Sequence, residues 1–133
     1  MGRVMVRVAV PVLVGLLAGF GSGCGAGGPA RPARISHVVF IKLEDPAQRG
    51  ALLADCDAML PGIPGVSSYA AGRHLDVGRA SVDGDYDVGL YIGFETEADY
   101  AGYVAHPDHV AFVERWKPEL AWLRVHDILD DTE

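Results

Sequence analysis

ISHVVFIKL, residues 35–43, is apolar on both alternations of a strand: Ile35, Val39 and Ile41 fall on one side, Val38 and Phe40 on the other. A strand with one solvated face alternates apolar and polar residues, so this one is expected to be covered on both faces. The elements around it decide what the covers are.

Downstream, Pro46 to Leu60 changes to helical spacing through Ala47, Leu52, Cys56, Met59 and Leu60, with Asp45 placed to cap and Pro46 in the first turn. Pro61-Gly62-Ile63-Pro64-Gly65 stops that helix, and Val66 to His74 reads as a second strand. Asp76 to Asp85 is an exposed connection. Tyr86 to Phe94 is the clearest strand, with Tyr86, Val88, Leu90, Ile92 and Phe94 on one face and Asp87, Gly89, Tyr91 and Gly93 on the other. The glycines beside Tyr91 leave space that a ligand or a close-packed neighbour can fill. Thr96 with Asp99 three residues later opens another helix in a capping-box pattern. Pro107 breaks that helix, which ends near Ala105 and restarts at Pro107, and a last strand runs near Trp122 to Leu129.

The order is β-α-β-β-α-β, which predicts an α+β, ferredoxin-like fold with an antiparallel sheet and its helices on one face. Helices then cover one side of ISHVVFIKL only. A second copy of the chain is the economical cover for the other, so a homodimer is expected.

The N-terminus reads as an export signal. Arg3 and Arg7 form a short basic region, Val8 to Phe20 an apolar run, and Gly21 to Gly23 a set of small residues before Cys24. The run is shorter than the roughly 20 residues a membrane-spanning helix needs. The arrangement resembles a bacterial lipoprotein signal, which implies a signal peptide at 1–23, lipidation of Cys24 and an exported, membrane-anchored protein of the cell envelope. Ordinary secretion or a periplasmic location is the alternative, and an uncleaved anchor a further one. Residues 24–34 carry Gly, Ala, Pro and Arg without apolar periodicity and read as a flexible linker, leaving 35–133 as the folded domain.

Charge narrows the partners. Removing Arg3 and Arg7 leaves 11 − 2 = 9 basic against 18 acidic residues, formally −9. Nucleic-acid binders draw affinity from clustered Lys and Arg, so nucleic acid is not an expected partner. Membrane attachment would depend on the lipid anchor. With Cys24 in the signal, Cys56 is the remaining cysteine, placed on a helical face with Leu52, Met59 and Leu60 as a buried hydrophobe.

YVAHPDHVAF, 103–112, sets a phenol and two imidazoles around the proline break. On an unbroken helix Tyr103 and His109 would be about 600°, equivalent to 240°, apart around the axis. The break re-aims the second helix and can bring His109 toward Tyr103. HPDH lacks the i, i+4 histidine pair of a zinc helix and has no cysteine partner, so no metal is expected. No Gly-rich loop between a strand and a helix marks a phosphate site.

Residues 36–129 resemble the Dabb family, the stress-responsive dimeric α+β barrel domain. The resemblance is carried by SHVVFIKL at 36–43, PGIPGV at 61–66, YDVGLYIGFE at 86–95 and AHPDHVAFVE at 105–114. It implies dimers whose two sheets face each other around a barrel interior. Some plant members are polyketide cyclases that work without metal or cofactor, so no cofactor is expected. Their Tyr and His match Tyr103 and His109, implying His109 as a base that removes a proton beside a carbonyl and Tyr103 as a donor to the oxyanion. Val88 stands where such a cyclase carries a further histidine.

The leading reading is a lipid-anchored dimer binding a small apolar or aromatic molecule in the barrel cavity, with His37, Tyr91, Tyr103 and His109 as polar contacts. His37 and Tyr91 also admit structural readings, a hydrogen-bonded histidine and packing across the dimer. The alternatives are a cofactor-free cyclase or oxygenase using His109 and Tyr103 as catalytic residues, and a ligand-free stress-associated structural dimer. His106 is expected to cap the helix break, and His74 and His126 to be structural or exposed.

Overall fold

The computed structural model describes residues 28–132. The expected signal peptide, 1–23, and Cys24 lie outside the described residues. Four strands and three helices follow in order: β1 (Ile35–Leu43), α1 (Arg49–Met59), β2 (Val66–Gly72), β3 (Val88–Phe94), α2 (Glu97–Ala105), α3 (Pro107–Trp116) and β4 (Leu120–Leu129). Short 3-10 turns precede α1 and β4. The strands form one antiparallel sheet in the order β2-β3-β1-β4, the ferredoxin-like α+β arrangement. No helix of the described residues is long and apolar enough to cross a membrane.

Local chemistry sets the boundaries. Asp45 accepts from the Ala47 amide at 2.9 Å and starts the turn into α1. Thr96 Oγ1 accepts from the Asp99 amide at 3.1 Å and donates to Asp99 Oδ2 at 2.6 Å, closing the expected cap of α2. His106 is extended, as a residue before proline prefers, and ends α2. Its Nδ1 also accepts from the Asp108 amide at 3.2 Å, so one residue caps both sides of the break.

β3 starts two residues later than its periodicity predicts. Asp87 leaves the ladder because its amide donates to Ile41 O at 2.8 Å while its buried carboxylate accepts from the Leu43 amide at 2.9 Å. Tyr86 therefore does not share the Val88 face. It packs instead on Phe40, at a ring separation of 4.9 Å.

The core lies between the sheet and the helices. Ile35, Val39, Ile41 and Leu43 of β1 and Val88, Leu90, Ile92 and Phe94 of β3 meet Leu52 and Cys56 of α1, Leu60 beyond it, Tyr103 of α2, and Phe112 and Trp116 of α3. Each fully buried aliphatic or aromatic side chain contributes about 1.5–3 kcal/mol relative to exposure. Asp55 of α1 accepts from Trp116 Nε1 at 2.9 Å and pairs with Arg115 at 2.9 Å, pinning α3 to α1. Burial pushes the Cys56 thiol up to about 12, which keeps it protonated and inert.

The opposite sheet face carries Val38, Phe40, Tyr91 and Trp122, all half-buried, and Ile128, which is 56% exposed. This is the face for which a second chain is expected. Part of it is already covered by the stretch read as a flexible linker. Ala33 is buried, Ser68 Oγ donates to Pro32 O at 2.8 Å, the Asp130 amide donates to Arg34 O at 2.7 Å, and Arg31 pairs with Asp130. Gly93 makes room for it, since a Cβ there would lie 2.5 Å from Ala33 Cβ. Residues 31–34 are thus a strap bound to the sheet, held by contacts that no apolar period announces.

Candidate functional site

Two odd-numbered positions of β1, His37 and Val39, face the helices along with Ile41, because all three share the alternation that builds the core. The break at Pro107 tilts α3 away from α2, and a cavity of about 500 Å³ opens between them and the sheet. Val39, Ile41, Leu90, Phe112, Trp116, Leu120, Leu123 and Val125 make most of its wall. Its polar lining is His37, Tyr103, His109 and Lys117.

Three of those groups converge. The rings of Tyr103 and His109 are 4.5 Å apart and those of His37 and Tyr103 are 6.1 Å apart. The re-aimed helix therefore does bring His109 to Tyr103. His109 Nδ1 donates to Val104 O at 3.0 Å. A carbonyl only accepts, so Nδ1 carries the proton and Nε2 keeps its lone pair. Burial lowers the His109 pKa from 6.5; the Val104 hydrogen bond acts against this and the charge of His37 with it. The imidazole is a neutral acceptor at pH 7.

His37 is fixed by groups that sequence reasoning passed over. Its Nδ1 lies 2.7 Å from Asp127 Oδ1 and 3.1 Å from the Tyr100 hydroxyl, which itself donates to Asp127 Oδ2 at 3.0 Å. Nδ1–H thus faces a carboxylate and Nε2 is left for the cavity. Burial first, and then the Asp127 hydrogen bond, raise the Tyr100 pKa to about 12, so this phenol stays a donor. The missed signals are the antiparallel register, which sets His37 opposite Asp127, and the i, i+3 spacing of Tyr100 and Tyr103 on α2.

Tyr103 is 1% exposed, and its ring packs on Phe94 at 5.1 Å. Its hydroxyl donates to no protein group among the described residues. No side-chain polar atom there is both fully enclosed and unpartnered, and Tyr103 is one of the residues that line the cavity. Burial, followed by Cys56 and Tyr100 nearby, raises its pKa and keeps it a neutral donor.

Tyr91 does not join these groups. It stands on the opposite sheet face, where its hydroxyl lies 3.2 Å from Ser36 Oγ and 3.4 Å from Ser68 Oγ. His37, Tyr103 and His109 correspondingly line a cavity between sheet and helices of one chain, rather than a barrel interior between two chains. The strand period puts His37 and Tyr91 on opposite sides: His37 pairs with Ile92, whose side chain points the other way from that of Tyr91. Among the described residues no cluster of three or more His, Cys, Asp or Glu could hold a metal ion.

No curated protein matches the chain by sequence. Among solved structures it is similar to a Dabb-family protein with a ferredoxin-like fold from Mesorhizobium loti, at 30% identity and a TM-score of 0.62, over 74% of this chain and 97% of that one. It is also similar to a dimeric ferredoxin-like protein of unknown function from Thermobifida fusca, at 25% identity and a TM-score of 0.61, over 72% and 90% of the two chains. A hydroxynitrile lyase from Passiflora edulis, at 17% identity and a TM-score of 0.64 over 77% and 99%, shares the fold alone. The dimeric neighbour supports a homodimer here, in keeping with the half-buried Val38, Phe40, Tyr91 and Trp122 on the outer face of the sheet. Residues 35–130 match the model of the stress responsive A/B barrel domain, and over that span the chain belongs to the Dabb family.

Proposed function

We propose that the chain acts as a homodimer, lipid-anchored through Cys24 and exported, in which each protomer binds a small, largely apolar molecule in its own sheet-helix cavity. One observation carries this reading: His37, Tyr103 and His109 converge at one end of an apolar space of about 500 Å³. That volume suits a small ligand, and the polar lining is sparse, as in ligand pockets generally. It also argues against the ligand-free structural dimer, whose cavity would be filled by its own side chains. Calorimetry against a panel of aromatic and alkyl ketones tests the binding. Saturable binding that weakens with His109→Ala is the expected result, and no binding across the panel refutes it. Mass spectrometry of the mature N-terminus tests the anchor, since an unmodified start beyond Cys24 excludes it.

A second reading uses the same groups as a cofactor-free enzyme. It is favoured by the lone pair left on His109 Nε2 beside a neutral phenol. His109 would take the proton from a carbon next to a carbonyl, and the Tyr103 hydroxyl would donate to the enolate oxygen that forms. Aldol cyclisation or attack of the carbanion on oxygen begins from that species. His109→Asn should then abolish turnover while leaving affinity within about threefold. Equal turnover in both proteins removes His109 as the base.

A further inference from the structure

The cavity is polar at one end, apolar along its length and cationic at the other. Lys117 lines it at the C-terminal end of α3, and makes no ion pair among the described residues. The nearest acid in sequence, Glu119, is engaged by Gln48 Nε2 at 2.9 Å. No Asp or Glu lines the cavity, although the whole chain has 18 acidic residues against 11 basic ones. Lys117 is the one Lys or Arg of the cavity wall, and no carboxylate of that wall competes for it.

Helix α3 gives the spacing between the polar end and the cation. Along α3, His109 and Lys117 are eight residues apart, about 12 Å at the helical rise. The lysine stem is long and flexible enough to bring its ammonium back over the mouth.

Resting on the cavity reading above, we infer that the ligand is an elongated carboxylate, with a carbonyl or hydroxyl end held at His37, Tyr103 and His109 and its carboxylate at Lys117. A medium-chain alkyl or aryl-alkyl keto acid has this chemistry. The competing account of Lys117 is complementation of the helix dipole, which also favours a cation in the last turn. That account requires no ligand at Lys117.

The test compares a decanoate bearing a keto group on its penultimate carbon with its methyl ester, by calorimetry at low and high salt. The wild-type protein should bind the acid about fivefold more tightly than the ester, a preference that falls at high salt. Lys117→Gln should abolish the preference, Lys117→Glu reverse it and Lys117→Arg keep it, with ester binding within about twofold throughout. Lys117 is exposed, so these variants are expected to fold, and thermal melts check that they do. Equal binding of acid and ester by the wild type, or equal weakening of both by Lys117→Glu, overturns the inference while leaving the cavity reading intact. Failure of both ligands to bind the wild type removes the cavity reading and this inference with it.

Discussion

Replacing Tyr103 by phenylalanine separates a cavity-facing hydroxyl from a structural one. The ring is 1% exposed and packs between Phe94, His109 and His37, so Tyr103→Phe keeps all of that packing. The hydroxyl has no protein partner to lose. Removing one member of a buried hydrogen bond costs about 1–3 kcal/mol because the other is orphaned, whereas removing an unpartnered group is nearly neutral. Stability should therefore change by no more than about 0.5 kcal/mol, and the slope of urea unfolding should stay constant. Tyr103→Ala, which empties the same space, should cost about 3–5 kcal/mol. Ligand affinity should behave differently. One neutral hydrogen bond contributes about 1 kcal/mol, so Tyr103→Phe should weaken a bound ketone roughly fivefold. Urea unfolding and calorimetry on the same three proteins give both numbers. A loss of about 1.5 kcal/mol or more in Tyr103→Phe would show that the hydroxyl serves the fold and refute its assignment as a ligand contact.

His109 should titrate below 6.5 when followed by NMR, because burial is the largest influence on it. Its folded pKa is depressed, so the unfolded chain binds the proton more readily. Stability should fall as pH drops through 6.5 toward the folded value, and His109→Gln should flatten that slope; a midpoint at or above 6.5 refutes the burial argument. Asp127→Asn removes the carboxylate that holds His37, and with Asp127 nearly half exposed it should cost stability about 1 kcal/mol or less while weakening ligand binding about three- to tenfold. Unchanged affinity would remove His37 from the set of contacts. Gly93→Ala should destabilise by about 1–3 kcal/mol and open residues 31–34 to proteolysis, with Ala33→Gly restoring part of the loss; an unchanged melt would mean that the strap is not held there.

Patterns set by the backbone were readable in the sequence. The period of ISHVVFIKL, the cap at Thr96 and the break at Pro107 each follow from a local rule, and each stands where the sequence puts it. Local rules failed where a distant group decided the outcome. Tyr86 continues the period of β3 in sequence, yet Asp87 is drawn out of the ladder by Ile41 and Leu43 and turns Tyr86 to the other face. Ala33 sits in a stretch of Gly, Pro and Arg with no period at all, and its burial depends on Gly93, sixty residues later. Asp127 and Tyr100 were invisible for the same reason. Each looks like a solvated residue until the register of β1 with β4 brings it to His37.

The choice of sheet face changes what dimerisation can do for the site. A barrel interior shared by two chains would make ligand binding depend on assembly, since half of its wall would be missing from a monomer. Here Tyr91, Phe40 and Trp122 stand on the face where a partner is expected, whereas His37, Tyr103 and His109 lie across the sheet from it, under α2 and α3. His37, Tyr103, His109 and Lys117 all line the cavity from one chain. Coupling between the two sides must then pass through strands that both faces share. β1 is the strand best placed for this, because its odd residues line the cavity and its even residues, Val38 and Phe40, form the outer face. A substitution at Phe40 that weakens assembly should leave binding in place unless it also shifts β1, and a shift of β1 would register first at His37, where one hydrogen bond of 2.7 Å fixes the ring.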